Sequence, residues 1–92
     1  MSVQMVIEFS DRQGVQTALR AMETAKSRLR ASIERTRRRV VEFEQRYSVT
    51  TARFLSDMTS EDLPGGDLEY VEWAGEAKLL KGLEEELRDI EL

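Results

Sequence analysis

The chain has 92 residues, 40% hydrophobic and 35% charged, with a net charge of −4, which suits one small domain with a limited core. It contains no cysteine and no histidine, so disulfides, thiolate metal sites, cysteine nucleophiles and the commonest general base are all excluded. No apolar run approaches the roughly 20 residues that span a bilayer. The start, Met1–Phe9, has no basic segment and carries Glu8, so the expectation is a cytoplasmic protein with no signal peptide.

Along the first ten residues, Val3, Met5, Ile7 and Phe9 alternate with Ser2, Gln4, Val6 and Glu8. This predicts a short N-terminal strand, completed across a dimer or on a partner's sheet edge, with a plain N-terminal arm as the alternative. A long helix is expected over 11–48, capped by Ser10 or Asp11. Its apolar or small residues are Val15, Ala18, Met22, Ala25, Leu29, Ile33, Thr36, Val40, Phe43 and Tyr47. They recur in steps of three and four, a coiled-coil seam with one stutter near Leu29.

After this rod, Val49-Thr50-Thr51 interrupts the helix formers, and Thr50 is placed to cap a short helix over 50–58. Phe54, Leu55 and Met58 are expected on its buried side. Residues 59–66 contain Pro64 and Gly65-Gly66 and read as a loop. Asp67 is then expected to cap a final helix over 67–91. Its apolar face is Tyr70, Trp73, Ala77, Leu80, Leu83, Leu87 and Ile90, widened by Val71, Ala74 and Leu79. The fold expected is all-α and dimeric: a long helix, a short helix and a second long helix in a helical-hairpin or coiled-coil arrangement. The last helix, at some 24 residues, is about 14 Å shorter than the Val15-to-Tyr47 stretch of the first at 1.5 Å per residue. Part of the seam is therefore expected to stay open for a second copy or a partner.

Charge is divided along the chain. Residues 1–47 hold ten Lys or Arg against six acids, a net +4, whereas residues 48–92 hold four against twelve, a net −8. Arg28, Arg35, Arg38 and Arg39 flank the seam, and Arg30 and Arg37 lie on another side. Such a cluster offers possible anion contacts, at Arg28, Arg35, Arg37, Arg38 and Arg39, to nucleic-acid phosphates or to acidic protein. The acids Glu84-Glu85-Glu86, which oppose the helix dipole at the last helix's end, are the natural internal partners of Arg35 to Arg39. No helix-turn-helix is legible, and the acidic final helix works against a general nucleic-acid surface.

Chemistry is sparse. The acids Glu84, Glu85, Glu86, Asp89 and Glu91 lie along one helix end, whereas a metal site needs converging ligands. No Gly-rich phosphate loop follows a strand, and Ser and Thr lack a triad partner. No enzyme activity, metal or cofactor is expected. Trp73, Tyr70, Tyr47 and Phe43 are either core aromatics or interface anchors, and both roles fit a domain this small.

Three segments together carry a resemblance: Val41-Glu42-Phe43-Glu44-Gln45-Arg46-Tyr47, then Thr50-Thr51-Ala52-Arg53-Phe54-Leu55, then Asp67-Leu68-Glu69-Tyr70-Val71-Glu72-Trp73-Ala74 after the Pro-Gly-Gly loop. The set resembles small helical prokaryotic proteins regarded as antitoxins of type II toxin–antitoxin pairs. It covers about residues 40–92; the N-terminal half matches only in being a long helix. Ser48 stands where a helix-ending glycine is expected after Tyr47. The resemblance implies a dimer that wraps or blocks a toxin, such as a ribonuclease, and transfers no binding residue.

The residues themselves supply the expected partner or dimer interface: Met5, Ile7, Phe9, Val15, Met22, Leu29, Ile33, Val40, Phe43, Tyr47, Tyr70 and Trp73. The function expected is a protein-binding module, with an antitoxin as its concrete form. The alternatives are a nucleic-acid-associated regulator using the basic face, or a structural coiled-coil adaptor.

Overall fold

The computed structural model describes residues 12–91 and is all-α. In chain order it comprises α1 (Arg12–Tyr47), α2 (Thr51–Asp57), a 3-10 turn (Ser60–Asp62) and α3 (Gly66–Glu91). The expected N-terminal strand, its residues Met5, Ile7 and Phe9, and the caps Ser10 and Asp11 lie outside the described residues. The chain extends over 60 × 31 × 19 Å with a radius of gyration of 19.3 Å. A globule of this length would have a radius near 12 Å. One helix dictates this shape: the 36 residues of α1 make a rod of about 54 Å.

The end of α1 shows how local chemistry sets the path. Ser48 adopts a φ of +54°, the left-handed conformation usually given to glycine after a helix. The Val49 N–H then reaches back to the Glu44 carbonyl at 3.2 Å, the six-to-one bond of a Schellman stop. Ser48 therefore does the work of the missing glycine. The next helix starts at once. The Thr50 hydroxyl accepts from the Arg53 N–H at 3.2 Å, and the Glu44 carboxylate accepts from the Thr51 N–H at 2.8 Å. One residue of α1 thus contributes its carbonyl to ending α1 and its carboxylate to starting α2.

Beyond α2, Thr59 and Asp62 form a reciprocal capping box around the 3-10 turn, in a stretch expected to be plain loop. Gly66 donates its N–H to the Leu63 carbonyl at 2.9 Å, closing the turn through Pro64 and Gly65. α3 begins at Gly66, so Asp67 sits in its first turn rather than at the cap position. There it still opposes the positive end of the helix dipole. A Cβ on Gly65 would overlap the Glu69 carboxyl group, so a side chain here would displace Glu69.

The core lies at one end of the rod, where α1, α2 and α3 converge. Trp73 and Phe54 are fully buried, with Phe43 and Leu63 nearly so. The Trp73 ring stacks on Phe54 at 3.9 Å, Phe43 at 5.6 Å and Tyr47 at 5.7 Å between centroids. Its indole N–H donates to the Thr51 hydroxyl at 3.0 Å, which removes the cost of burying that donor. Leu55, expected on the buried side of α2, is instead half exposed. A helix of seven residues has room for one inward anchor, and Phe54 takes it.

Candidate association surface

α1 and α3 run antiparallel, and three cross-helix ion pairs fix their register. Arg46 pairs with Glu69, Arg37 with Glu84 at 3.1 Å, and Arg30 with Glu91 at 2.7 Å. α3 therefore ends level with Arg30. The first 18 residues of α1, Arg12 to Leu29, project beyond it as a helical extension of about 27 Å.

This register divides the expected interface in two. Ile33, Val40 and Phe43 are buried inside the chain, as is Thr36, whose hydroxyl donates to the Ser32 carbonyl at 2.8 Å. Trp73 is fully buried, Tyr47 and Tyr70 half-buried. None of the buried residues is an outward anchor, because α3 and α2 cover that half of the seam intramolecularly. The other half is uncovered. Val15 and Met22 are exposed, Met22 by 48%, and Leu29 is half-buried. Leu19, outside the expected seam, is 55% exposed on the same side. Its spacing of four from Val15 and three to Met22 is the signal that places it there.

The arginine cluster also divides. Arg37, expected among the anion contacts, is engaged with Glu84, and Arg30 with Glu91. Of the Arg35 to Arg39 cluster expected to answer the acidic end of α3, Arg37 does so, and Arg30, from outside that cluster, is the second partner. No ion pair among the described residues engages Arg28, Arg35, Arg38 or Arg39; Arg35 donates to the Ser32 hydroxyl at 3.2 Å. Arg35, Arg38 and Arg39 line a groove with Glu76, Leu79 and Leu83 of α3 without an ion pair to it, and Arg28 is exposed on the extension.

α3 carries a second apolar stripe outside its buried Trp73 face, and its edge at Leu79 and Leu83 borders a groove shared with Arg35, Thr36, Arg38 and Arg39 of α1. Leu68 is 70% exposed and Val71 65%, with Leu79 exposed beside them. Val71 and Leu79, expected to widen the core face, point outward because Trp73, Ala77 and Leu80 already fill the side facing α1 and α2. Gly75 and Gly82 interleave with them, and a Cβ at either would meet nothing. The groove around them is lined by Gly75, Lys78, Leu79, Gly82, Leu83 and Glu86. Its signal in the sequence is the run Leu68, Val71, Gly75, Leu79, Gly82, in steps of three and four.

Near the core, Glu69 joins the helices by accepting from Tyr47 and pairing with Arg46. The Tyr47 hydrogen bond, then the Arg46 guanidinium, holds the Glu69 carboxyl below its ordinary range. The same hydrogen bond, with partial burial, raises the Tyr47 phenol above its ordinary 10.0. This is a structural latch beside a filled core. No cluster of three or more metal-ligating side chains occurs among the described residues, and none of their helices is long and apolar enough to cross a membrane. Comparison with family models, curated proteins and solved structures gives no match to this chain.

Proposed function

We propose that this chain is a protein-association module: a helical homodimer that acts by binding a partner protein. The uncovered extension of α1 carries this reading. Val15, Leu19 and Met22 place three large apolar side chains in water along one face of a helix that α3 does not reach. Contiguous exposed apolar surface of this kind marks interaction sites.

The most concrete form is an antitoxin that neutralises a toxin by direct complex formation. Its support is the resemblance of the Val41-to-Tyr47, Thr50-to-Leu55 and Asp67-to-Ala74 segments to type II antitoxins. The outward arginines Arg28, Arg35, Arg38 and Arg39 suit a partner with an acidic surface, and such charges act mainly on encounter rate and specificity. The same flank favours a second reading, a nucleic-acid-associated regulator, whose affinity would fall steeply with salt.

Co-expression with the product of the neighbouring gene, tagged on that product, tests the first reading. Co-purification at fixed stoichiometry and rescue of growth are expected. Recovery of neither overturns it. Binding of duplex DNA that Arg35→Gln, Arg38→Gln and Arg39→Gln together abolish, with helicity intact, would favour the second.

A further inference from the structure

The extension of α1 and the outer groove of α3 are complementary along their lengths. Along α1 the residues Arg12, Val15, Leu19, Met22 and Lys26 form one stripe. Along α3 the residues Glu72, Gly75, Leu79, Gly82 and Glu86 form another. Both advance in steps of three, four, three and four, so they match at a constant offset of 60 residues. Each base faces an acid, with Lys26 exchanging its pairing to Glu23 at 3.3 Å for Glu86; the large Val15 and Met22 face glycines, and Leu19 faces Leu79. The pairing is large into small, as in knobs-into-holes packing, with an ion pair at each end.

We propose that the groove of α3 is the seat of the α1 extension of a second copy, and that two chains exchange these contacts reciprocally. This rests on the association reading above and names one of its surfaces. A chain cannot satisfy the match itself. Gly75 and Gly82 lie on the side of α3 away from α1. Met22 lies eight residues, about 12 Å, beyond Arg30, where α3 ends.

Symmetry fixes the arrangement. A two-fold axis parallel to the rods would carry the partner's extension past the end of α3, leaving the groove empty. An axis perpendicular to them makes the two α1 helices antiparallel, so each extension runs parallel to the other chain's α3 and alongside it. The contact is isologous and closed, which yields a dimer rather than a fibre. The two α3 helices then lie in a central layer between the α1 rods, with their acidic ends flanked by Arg28 and Arg30 of both chains. The net +4 and −8 halves of the sequence thereby meet between chains.

The absence of native cysteine makes the register directly testable in the full-length chain. Met22→Cys and Gly82→Cys variants, mixed and oxidised, are expected to form a disulfide-linked dimer. Met22→Cys mixed with Gly75→Cys, one heptad out of register, is expected to remain unlinked. Sedimentation of the parent chain at micromolar concentration should give twice the monomer mass. Leu19→Glu should weaken self-association by at least about tenfold while circular dichroism and Trp73 fluorescence stay unchanged.

Several outcomes would overturn the proposal. One is a Met22→Cys chain that links chiefly to itself, which would mean that extension packs on extension. Preferential linkage of Met22→Cys to Gly75→Cys is another. A stable monomer that still captures the neighbouring gene product would sink the self-docking and leave the association reading standing.

Discussion

Ser48→Gly is the sharpest test of how this fold is held. Ser48 has a φ of +54°, where an L side chain costs about 1–2 kcal/mol. Glycine removes that cost but adds freedom to the unfolded chain, which takes back about 0.4–1 kcal/mol. The first effect wins, leaving a net stabilisation of about 0.5–1 kcal/mol. For a domain of this size that raises the melting temperature by about 2–8 °C. Urea titration and thermal melts followed by circular dichroism read it, at one fixed protein concentration because association also shifts the midpoint. Ser48→Val is the counterpart: a β-branched residue resists this conformation, so the variant should lose stability. If Ser48→Gly is neutral or destabilising while Ser48→Val is tolerated, the left-handed stop after Tyr47 does not set the path between α1 and α2.

Thr51→Val keeps the shape of the side chain but leaves the buried Trp73 indole N–H without its acceptor, so a loss of about 1–3 kcal/mol is expected. Denaturation followed by the fluorescence of the single tryptophan checks it, and a change below about 0.5 kcal/mol would remove Thr51 from the core's polar accounting. The latch at Glu69 predicts a plateau in stability against pH. Its carboxyl titrates below the ordinary 4.5, so its contribution is present above that value and is lost as pH falls through the folded value. Tyr47 titrates above 10.0, so its contribution is present below that value and is lost as pH rises through the folded one. Glu69→Gln should flatten the acid limb in thermal melts below about pH 4.5, and an unchanged limb would refute the latch.

Much of this molecule follows from local rules. The three-and-four spacing from Val15 to Tyr47, with no Gly or Pro between them, is enough to produce the long helix. The Thr50 cap and the Pro64-Gly65-Gly66 turn are chemistry within a few residues, so they too are legible. The charge division and the absence of cysteine and histidine are likewise visible in the sequence. Ser48 was readable only as a departure, because its left-handed conformation depends on where the next helix must go.

Tertiary structure decided which apolar residues are inside. A seam repeats without marking where its partner helix stops. Only the register set by Arg30–Glu91, Arg37–Glu84 and Arg46–Glu69 shows that Ile33 to Phe43 are covered and Val15 to Met22 are not. Apolar residues surround α3 on two sides, and the convergence of Phe43, Phe54 and Tyr47 on Trp73 selects the inward one. That choice turns Leu68, Val71 and Leu79 toward solvent. Periodicity is a property of one helix, whereas burial belongs to a pair, so the outer groove became visible only once the helices were packed.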